Sequence, residues 1–268
     1  MIKLVVTDID DTLLNSKGEI PKKTKEVINK CVERGIKVIL ASGRPNFGMK
    51  KIVDELNLAS YDNYLLSFNG AKIENIYTGE VVYEKFLSAD RLKFLVDKAE
   101  KYNCDILTYK DDNVLTNSDN EYAKVERDLV DANLIIASDM KEAITSAQPK
   151  VIILKDPKYV PEIVEKLKEE LGDTYEVATS KPFFIEVNDR GISKGEAIKS
   201  LAEKLNIDMN EILAIGDGLN DLSMIEVAGC GVAMGNAHEK LKEKANFVTK
   251  SNDEDGFAYA IEKFVFEK

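Results

Sequence analysis

Short apolar runs alternate with amphipathic helical segments at both ends of the chain. Near the N-terminus, the runs IKLVVTD, KVILASG and NYLLSFNG are separated by the helical segments PKKTKEVINKCVERG and NFGMKKIVDELNL. Near the C-terminus, EILAIGD, CGVAM and NFVT alternate with helical segments in the same way. Strands that are apolar throughout and separated by helices form parallel sheets covered on both faces. The sequence therefore predicts an α/β fold with a Rossmann-like parallel sheet.

The alternation loosens in the middle of the chain, which indicates an insertion. The segment KIENIYTGEVVYEKF reads as a hairpin around Thr78 and Gly79, and the later strands KVIILK and FFIEVN are isolated among helical runs. Compact domains of this size have separate cores, and a change in pattern marks their boundaries. We predict one domain from residues 1–80 and 191–268, with a second α/β domain of residues 81–190 inserted into it.

Charge and composition exclude several classes of function. The net charge of -11 leaves no basic surface for nucleic acid. No apolar run approaches the roughly 20 residues of a membrane span, so no membrane partner is expected. The three cysteines are widely spaced and form no CxxC pair, which argues against a disulfide framework or a zinc site. The chain begins directly with a strand and shows no signal peptide, so we expect a cytoplasmic protein.

Polar residues follow the first two predicted strands. Asp8, Asp10 and Thr12 come directly after IKLVV, and Ser42 and Gly43 follow KVILA. One carboxylate at this spacing could attack phosphorus while its neighbour transfers protons, although acids in a solvated turn are common. A hydroxyl and exposed backbone N–H groups could bind a phosphate, although small residues often mean only a tight turn.

Two more polar groups accompany the C-terminal strands. Lys194 lies just before a helix, and Asp217, Asn220 and Asp221 follow EILAI. Two acids and an amide at a strand end suit a hard cation such as Mg²⁺, which favours carboxylate and phosphate oxygens. In open α/β sheets, ligands bind at the carboxyl ends of the strands, so we expect all four groups at one edge.

The motifs DIDDT, ASGR, SKG and GDGLND, in this order, resemble the four motifs of the haloacid dehalogenase-like phosphohydrolases. The large insert between the second and third motifs is similar to that of the sugar-phosphatase subgroup often called Cof-like. This resemblance implies a Mg²⁺-dependent phosphatase that acts on small phosphorylated metabolites. It implies that Asp8 is the nucleophile that forms an aspartyl-phosphate and that Asp10 is the acid/base for the leaving oxygen.

The resemblance also implies the remaining site residues. Ser42 and Lys194 would bind phosphoryl oxygens, with backbone N–H groups near Ile9 and Gly43 assisting. Thr12 and Asn220 are assigned to the same phosphate-binding set. The metal ligands would be Asp217, the Asp8 carboxylate and the Asp10 backbone carbonyl, with Asp221 supporting them directly, through water or through Lys194.

The family's first motif usually has glycine where this chain has Asp11, and aspartate also tolerates many turn conformations. We expect its side chain to point away from the phosphate. The insert would act as a lid that selects the substrate, with the turn Ser180–Lys181–Pro182 as a candidate contact.

Two other functions remain open. A phosphomutase would share the acid pair and return the phosphoryl group to the substrate. A phospho-accepting receiver module would use similar groups, but such modules are much shorter and have no insert. The single histidine, His238, and the acid-rich segment 110–121 are interpreted as solvated surface. We expect a monomer or a weak homo-oligomer.

Overall fold

The computed structural model describes residues 1–267, and the predicted α/β fold class is confirmed by its sheets and helices. Two compact units are present: one contains Met1–Glu84 and the segment from Ser193 onward, and the other is Lys85–Ile192. Each unit has its own core of buried apolar side chains.

The first unit is built on an eight-stranded sheet. Its N-terminal part contains β1 (Leu4–Thr7), α1 (Lys22–Glu33), β2 (Lys37–Ala41), α2 (Lys50–Glu55), β3 (Tyr64–Ser67), β4 (Lys72–Asn75) and β5 (Val81–Glu84). The strands β1, β2 and β3 are parallel neighbours, whereas β3, β4 and β5 pair antiparallel.

The inserted unit is built on a six-stranded sheet. Its elements are α3 (Ala89–Lys101), β6 (Asp105–Lys110), β7 (Asn113–Thr116), α4 (Glu121–Val130), β8 (Leu134–Ile136), α5 (Met140–Ala143), β9 (Lys150–Leu154), α6 (Val160–Leu171), β10 (Tyr175–Lys181) and β11 (Phe184–Asp189). The strand order is β10-β11-β9-β6-β7-β8, and only the β7–β8 pair is parallel among the described pairings.

The chain then returns to the first sheet. The returning elements are α7 (Lys194–Leu205), β12 (Ile212–Gly216), α8 (Leu222–Val227), β13 (Cys230–Ala233), α9 (Glu239–Lys244), β14 (Phe247–Val248) and α10 (Gly256–Ile261), which continues as a π-helical turn, Glu262–Phe266. The completed order is β14-β13-β12-β1-β2-β3-β4-β5, so β1 lies in the middle with β12 and β2 beside it.

The predicted boundary after residue 80 needs a correction. The strand β5 pairs with β4 and belongs to the first sheet, so the first unit extends to Glu84 and resumes at Ser193 rather than at residue 191. A hairpin strand on an edge has no sequence signal that tells which sheet it joins, because its pairing partner is local in either case. The four-residue shift leaves the motif residues in the first unit.

Candidate active site

The end of β1 places Asp8 at the carboxyl edge of the sheet. The strand is fully buried, and the backbone N–H of Asp8 still donates to the carbonyl of Ile215 in β12, at 2.9 Å. Beyond Asp8 the chain turns, because the N–H groups of Leu13 and Leu14 both donate to the carbonyl of Ile9. A buried carboxylate thus stands where a parallel strand ends, as the sequence predicted.

Lys194 joins three of the predicted groups. The residue is 0% exposed, and its Nζ donates to Asp8 Oδ1, to the carbonyl of Ala41 at 2.8 Å and to Asp221 Oδ1 at 2.6 Å. An ammonium has three donors, so all of them are used within the protein. A lone lysine before a helix is usually solvated, so only the four motifs taken together predicted that Lys194 belongs to the site.

Local sequence explains how Lys194 reaches this point. Ser193 caps α7, accepting a hydrogen bond from the Glu196 N–H at 3.2 Å. A β-carbon on Gly195 would lie 2.4 Å from the carbonyl oxygen of Ser223, so only glycine lets α7 approach the segment after β12 this closely. The first turn of α7 is therefore fixed against the start of α8, which directly follows the loop that carries Asp217 and Asp221.

Asp221 organises that loop. Its Oδ2 accepts the backbone N–H groups of Asp217 at 3.0 Å and Gly218 at 2.9 Å, while Oδ1 accepts Lys194. Asp221 is fully buried. Its contact with Lys194 is one of the three routes by which the sequence expected it to support a metal.

One oxygen each of Asp8, Asp217 and Asp221 lies within 4.8 Å of the others. Burial raises the pKa of Asp8 to about 8, against the opposing charge of Lys194 and with a further rise from Asp221. Burial also raises the pKa of Asp217 to about 6, which the hydrogen bond from Thr12 lowers in part. When all three carboxylates are ionised, they exceed the single ammonium by two negative charges, and oxygen ligands with this excess fit a divalent cation such as Mg²⁺.

The Thr12 hydroxyl donates to Asp217 Oδ1 at 2.7 Å, and Thr12 is buried. The sequence assigned Thr12 to phosphate binding. This assignment needs a correction, because the Thr12 hydroxyl donates to Asp217 in this structure. A single hydroxyl proton cannot serve Asp217 and a phosphate at the same time. Thr12 instead ties the turn after β1 to the loop after β12.

Asp10 is held apart from the three acids. Its side chain is 54% exposed and accepts two hydrogen bonds from Arg44, from Nε at 3.0 Å and from Nη2 at 2.6 Å. The Asp10 carboxylate thus lies outside the acidic cluster, and its predicted metal contact through the backbone carbonyl stays a prediction. Arg44, which sequence analysis named only as part of the ASGR motif, is the hydrogen-bond and ion-pair partner of Asp10.

Asp11 adopts the left-handed conformation, with φ of 56°. Glycine enters this region without strain, which explains why the family's usual glycine and an aspartate both serve here. The Asp11 carbonyl accepts a hydrogen bond from Asn236 Nδ2 at 2.8 Å, and Asp11 is exposed. The departure from the family motif therefore leaves the turn intact.

The loop after β2 presents Ser42 and Gly43 at the same edge. The backbone N–H of Ser42 donates to the carbonyl of Leu66 in β3, and Ser42 Oγ accepts the Arg44 N–H at 3.1 Å. Ser42 is buried beside the ends of both strands.

Asn69, two residues after the end of β3, is a residue of this edge to which sequence reasoning gave no role. Its Oδ1 accepts a hydrogen bond from Asn220 Nδ2 at 3.2 Å. A sequence signal was available, because Asn69 stands at the end of the apolar run NYLLSFNG, and the other site residues also follow strands.

His238, which sequence analysis interpreted as solvated surface, is exposed, and its backbone N–H donates to the carbonyl of Asp217 at 2.9 Å, beside the site. His238 is the N-cap of α9 and accepts the Lys240 N–H at 3.2 Å. The acid-rich segment 110–121 forms the β6–β7 hairpin and the start of α4. Ser180, Lys181 and Pro182 line a groove of about 620 Å³ together with residues of α6.

Within residues 1–267, no helix combines the length and the apolar character that crossing a membrane requires.

A mainly parallel sheet with a buried Asp–Lys–Asp cluster at the carboxyl ends of its strands defines a class of α/β enzymes that act on phosphoryl groups. The sequence profile of the haloacid dehalogenase-like hydrolases matches residues 5–261. The chain belongs to this family, and its relatives establish it as a phosphatase of that family.

Three similar proteins place it more closely. A haloacid dehalogenase-like hydrolase from Bacteroides thetaiotaomicron is 37% identical and has a TM-score of 0.92, with 98% of this chain and 99% of that chain covered. The Bacillus subtilis (strain 168) protein YcsE, a 5-amino-6-(5-phospho-D-ribitylamino)uracil phosphatase, is 31% identical over 98% of this chain and 96% of its own. The HAD subclass IIB sugar phosphatase BT4131 is 27% identical with a TM-score of 0.80, covering 98% of each chain.

Proposed function

We propose that the protein is a Mg²⁺-dependent phosphatase that hydrolyses small phosphomonoesters, sugar phosphates above all, through an aspartyl-phosphate on Asp8. The observation that carries this proposal is the contact of Lys194 with both Asp8 and Asp221 inside a cluster of three acids. The buried lysine orients one Asp8 oxygen, and together with a bound cation it would keep the carboxylate charged, so that the other oxygen is available to attack phosphorus.

In the first step, Asp8 donates an electron pair to phosphorus, and the bond between phosphorus and the ester oxygen breaks. Asp10 gives a proton to the departing oxygen, which leaves as an alcohol. In the second step, Asp10 takes a proton from water, the water oxygen bonds to phosphorus, and the acyl phosphate bond breaks. Inorganic phosphate and the free Asp8 carboxylate result.

Asp8 and Asp217, with the Asp10 carbonyl, would hold the metal, and Asp221 would support it by fixing Lys194 and the loop of Asp217. When bound, Mg²⁺ would supply positive charge where the phosphoryl oxygens gather negative charge. Ser42, Asn220 and the backbone N–H groups near Ile9 and Gly43 would orient those oxygens. Lys194, which the sequence also assigned to phosphate binding, already uses its three donors and would orient the Asp8 carboxylate instead. Most of the catalysis in phosphoryl transfer comes from such positioning and charge stabilisation.

The substrate class rests on the relatives. BT4131 is named as a sugar phosphatase, and YcsE acts on a phosphorylated ribityl compound. Both names describe a phosphate ester on a polyhydroxylated carbon chain. We place this protein's substrates in the same chemical class, and we assign the choice among them to the inserted unit.

The test is phosphate release from a panel of sugar phosphates, polyol phosphates and nucleotides, with and without Mg²⁺, by wild type and Asp8→Asn. We expect Mg²⁺-dependent release by wild type and none by the variant. Asp11→Asn is the matched control, because it changes an exposed aspartate of the same motif and asparagine also tolerates the left-handed conformation. It should retain activity. Isomer formation without phosphate release would identify a mutase, and no reaction with any ester would overturn the proposal.

A further inference from the structure

The turn after β3 has an unusual backbone. Phe68, Asn69 and Gly70 follow one another with φ of 52°, 56° and 107°. Glycine and asparagine tolerate the left-handed region, but a bulky residue such as phenylalanine is a genuine outlier there. Strained backbone of this kind persists only where surrounding contacts impose it, and it is concentrated at functional sites.

Two neighbouring segments impose this conformation. The N–H groups of Phe68 and Asn69 donate to the carbonyls of Arg44 at 3.1 Å and Ser42 at 3.0 Å. On the other side, a β-carbon on Gly70 would lie 2.3 Å from the carbonyl oxygen of Ser193. The turn is therefore held between the loop after β2 and Ser193, the residue before Lys194.

The Asn69 side chain connects two of the predicted phosphate-binding groups. Its Oδ1 accepts Asn220 Nδ2, and its Nδ2 lies 3.1 Å from the position that a β-carbon on Gly43 would occupy. A side chain at residue 43 would crowd the amide, so the glycine makes room for it. Asn69 thus lies against Gly43 and Asn220 together.

The amino group of Asn69 is available to a ligand. Of the acceptors within residues 1–267, none takes a hydrogen bond from Asn69 Nδ2, and the residue is half-buried. Two N–H donors are thus present among groups that would bind phosphoryl oxygens. Amide donors are suited to this task, because hydrogen bonds to an anionic oxygen are stronger than neutral ones.

We propose that Asn69 is a further phosphate-binding residue. Its Oδ1 orients the Asn220 amide, and its Nδ2 donates to a phosphoryl oxygen of the substrate. This inference rests on the proposed function, since it adds a donor to the same site. It also gives the strained turn a purpose, because the left-handed backbone at residue 69 brings the side chain against Gly43.

Three variants separate the amide from the backbone. Asn69→Gly removes the side chain, and glycine adopts the left-handed conformation without strain. Asn69→Ala also removes the side chain but strains the backbone. Asn69→Asp keeps an acceptor for Asn220 and adds a negative charge. We expect KM for the best ester to rise about 10-fold in Asn69→Gly and about 100-fold in Asn69→Asp, as the loss of one charge-assisted hydrogen bond and an added repulsion predict.

Binding of inorganic phosphate, measured by calorimetry in the presence of Mg²⁺, supplies a readout independent of turnover. It should weaken in the same order as KM rises. Asn206→Gly is the matched control, because Asn206 is also left-handed, with φ of 53°, but caps the far end of α7. Its KM and phosphate affinity should equal those of wild type.

Unchanged KM and phosphate affinity in both Asn69→Gly and Asn69→Asp would overturn the role of Asn69 while leaving the phosphatase proposal intact. Failure of wild type to release phosphate would instead overturn the phosphatase proposal. The calorimetric comparison would still decide whether Asn69 binds phosphate. A loss confined to Asn69→Ala would show that only the backbone matters, and this too would overturn the inference.

Discussion

Within residues 1–267, each unit of the protein buries one lysine, Lys194 at the start of α7 and Lys150 in β9, and the two lysines have different surroundings. In the first unit, Lys194 faces two carboxylates, Asp8 and Asp221, with Asp217 beside them. In the inserted unit, Lys150 is 6% exposed and pairs with the single carboxylate of Glu186 at 3.0 Å. One cluster has excess negative charge, whereas the other is balanced.

The two clusters shift their acids in opposite directions. Burial raises the pKa of Asp8 to about 8, because the charge of Lys194 does not offset burial and the neighbouring acids. Burial alone would also raise the pKa of Glu186, but the charge of Lys150 and a hydrogen bond from Ser180 hold it below its ordinary value. A balanced pair is complete in itself, whereas an unbalanced cluster is suited to receive a cation. The comparison therefore predicts that Lys150 has a structural role and that Lys194 has a functional one.

Replacing Lys194 should have the largest effect. In Lys194→Met, the repulsion between Asp8 and Asp221 is no longer compensated, and breaking a buried pair costs about 3–5 kcal/mol of the free energy of unfolding. Phosphate release should fall by at least about 1,000-fold, since Asp8 loses the charged group that orients it for attack. Urea unfolding and steady-state kinetics measure both effects. Activity within a few-fold of wild type would mean that Lys194 is as structural as Lys150.

Arg44 offers the second test, because its pair with Asp10 is exposed rather than buried. Arg44→Ala should lower kcat by about 10–100-fold if the guanidinium holds the acid/base in place, which is part of the roughly 100- to 10,000-fold that general acid–base catalysis contributes. The free energy of unfolding should change by less than about 1 kcal/mol, as for other exposed ion pairs. Arg44→Lys should recover part of kcat, since lysine keeps the charge but loses the two-point contact. A change in stability without a change in kcat would contradict this assignment.

The sequence predicted which residues lie at the carboxyl edge of the sheet, but it did not predict the side-chain contacts between the loops there. The strands and the motif residues followed from apolar runs and from polar residues at their ends, because both signals are local. The bond from Thr12 to Asp217 spans 205 positions, and the bond from Asn220 to Asn69 spans 151. Contacts of that range depend on how the loops pack, which no local pattern encodes. The placement of β5 in the inserted domain was wrong for a different reason, because its hairpin partner β4 is local and gives no signal of which sheet the strand joins.

Replacing Lys150 should affect stability and leave the chemistry unchanged. Lys150→Met leaves Glu186 buried without its partner and should cost about 3 kcal/mol. The double variant Lys150→Met/Glu186→Leu should recover most of that loss, because well-packed apolar residues often replace a buried pair at no net cost. Hydrolysis of a small generic ester such as p-nitrophenyl phosphate should stay within about two-fold of wild type. A large loss of kcat in the double variant would place Lys150 in the reaction and remove the contrast with Lys194.

The smallest expected effect is the pH dependence that Glu186 contributes. Because the pKa of Glu186 is lower in the folded protein than its ordinary value of 4.5, the folded state binds fewer protons here than the unfolded state does. The stability from the Lys150–Glu186 pair is therefore fully present above pH 4.5 and is lost as the pH falls through the folded pKa. Urea unfolding at about pH 5.5 and about pH 3.5 should show a smaller loss of stability in Lys150→Met/Glu186→Leu than in wild type. The pH slope of the free energy of unfolding should differ between the two proteins by at most the binding of one proton. Equal losses in the two proteins would show that Glu186 is not stabilised in its charged form, and the inserted unit's lysine would no longer stand as the balanced counterpart of Lys194.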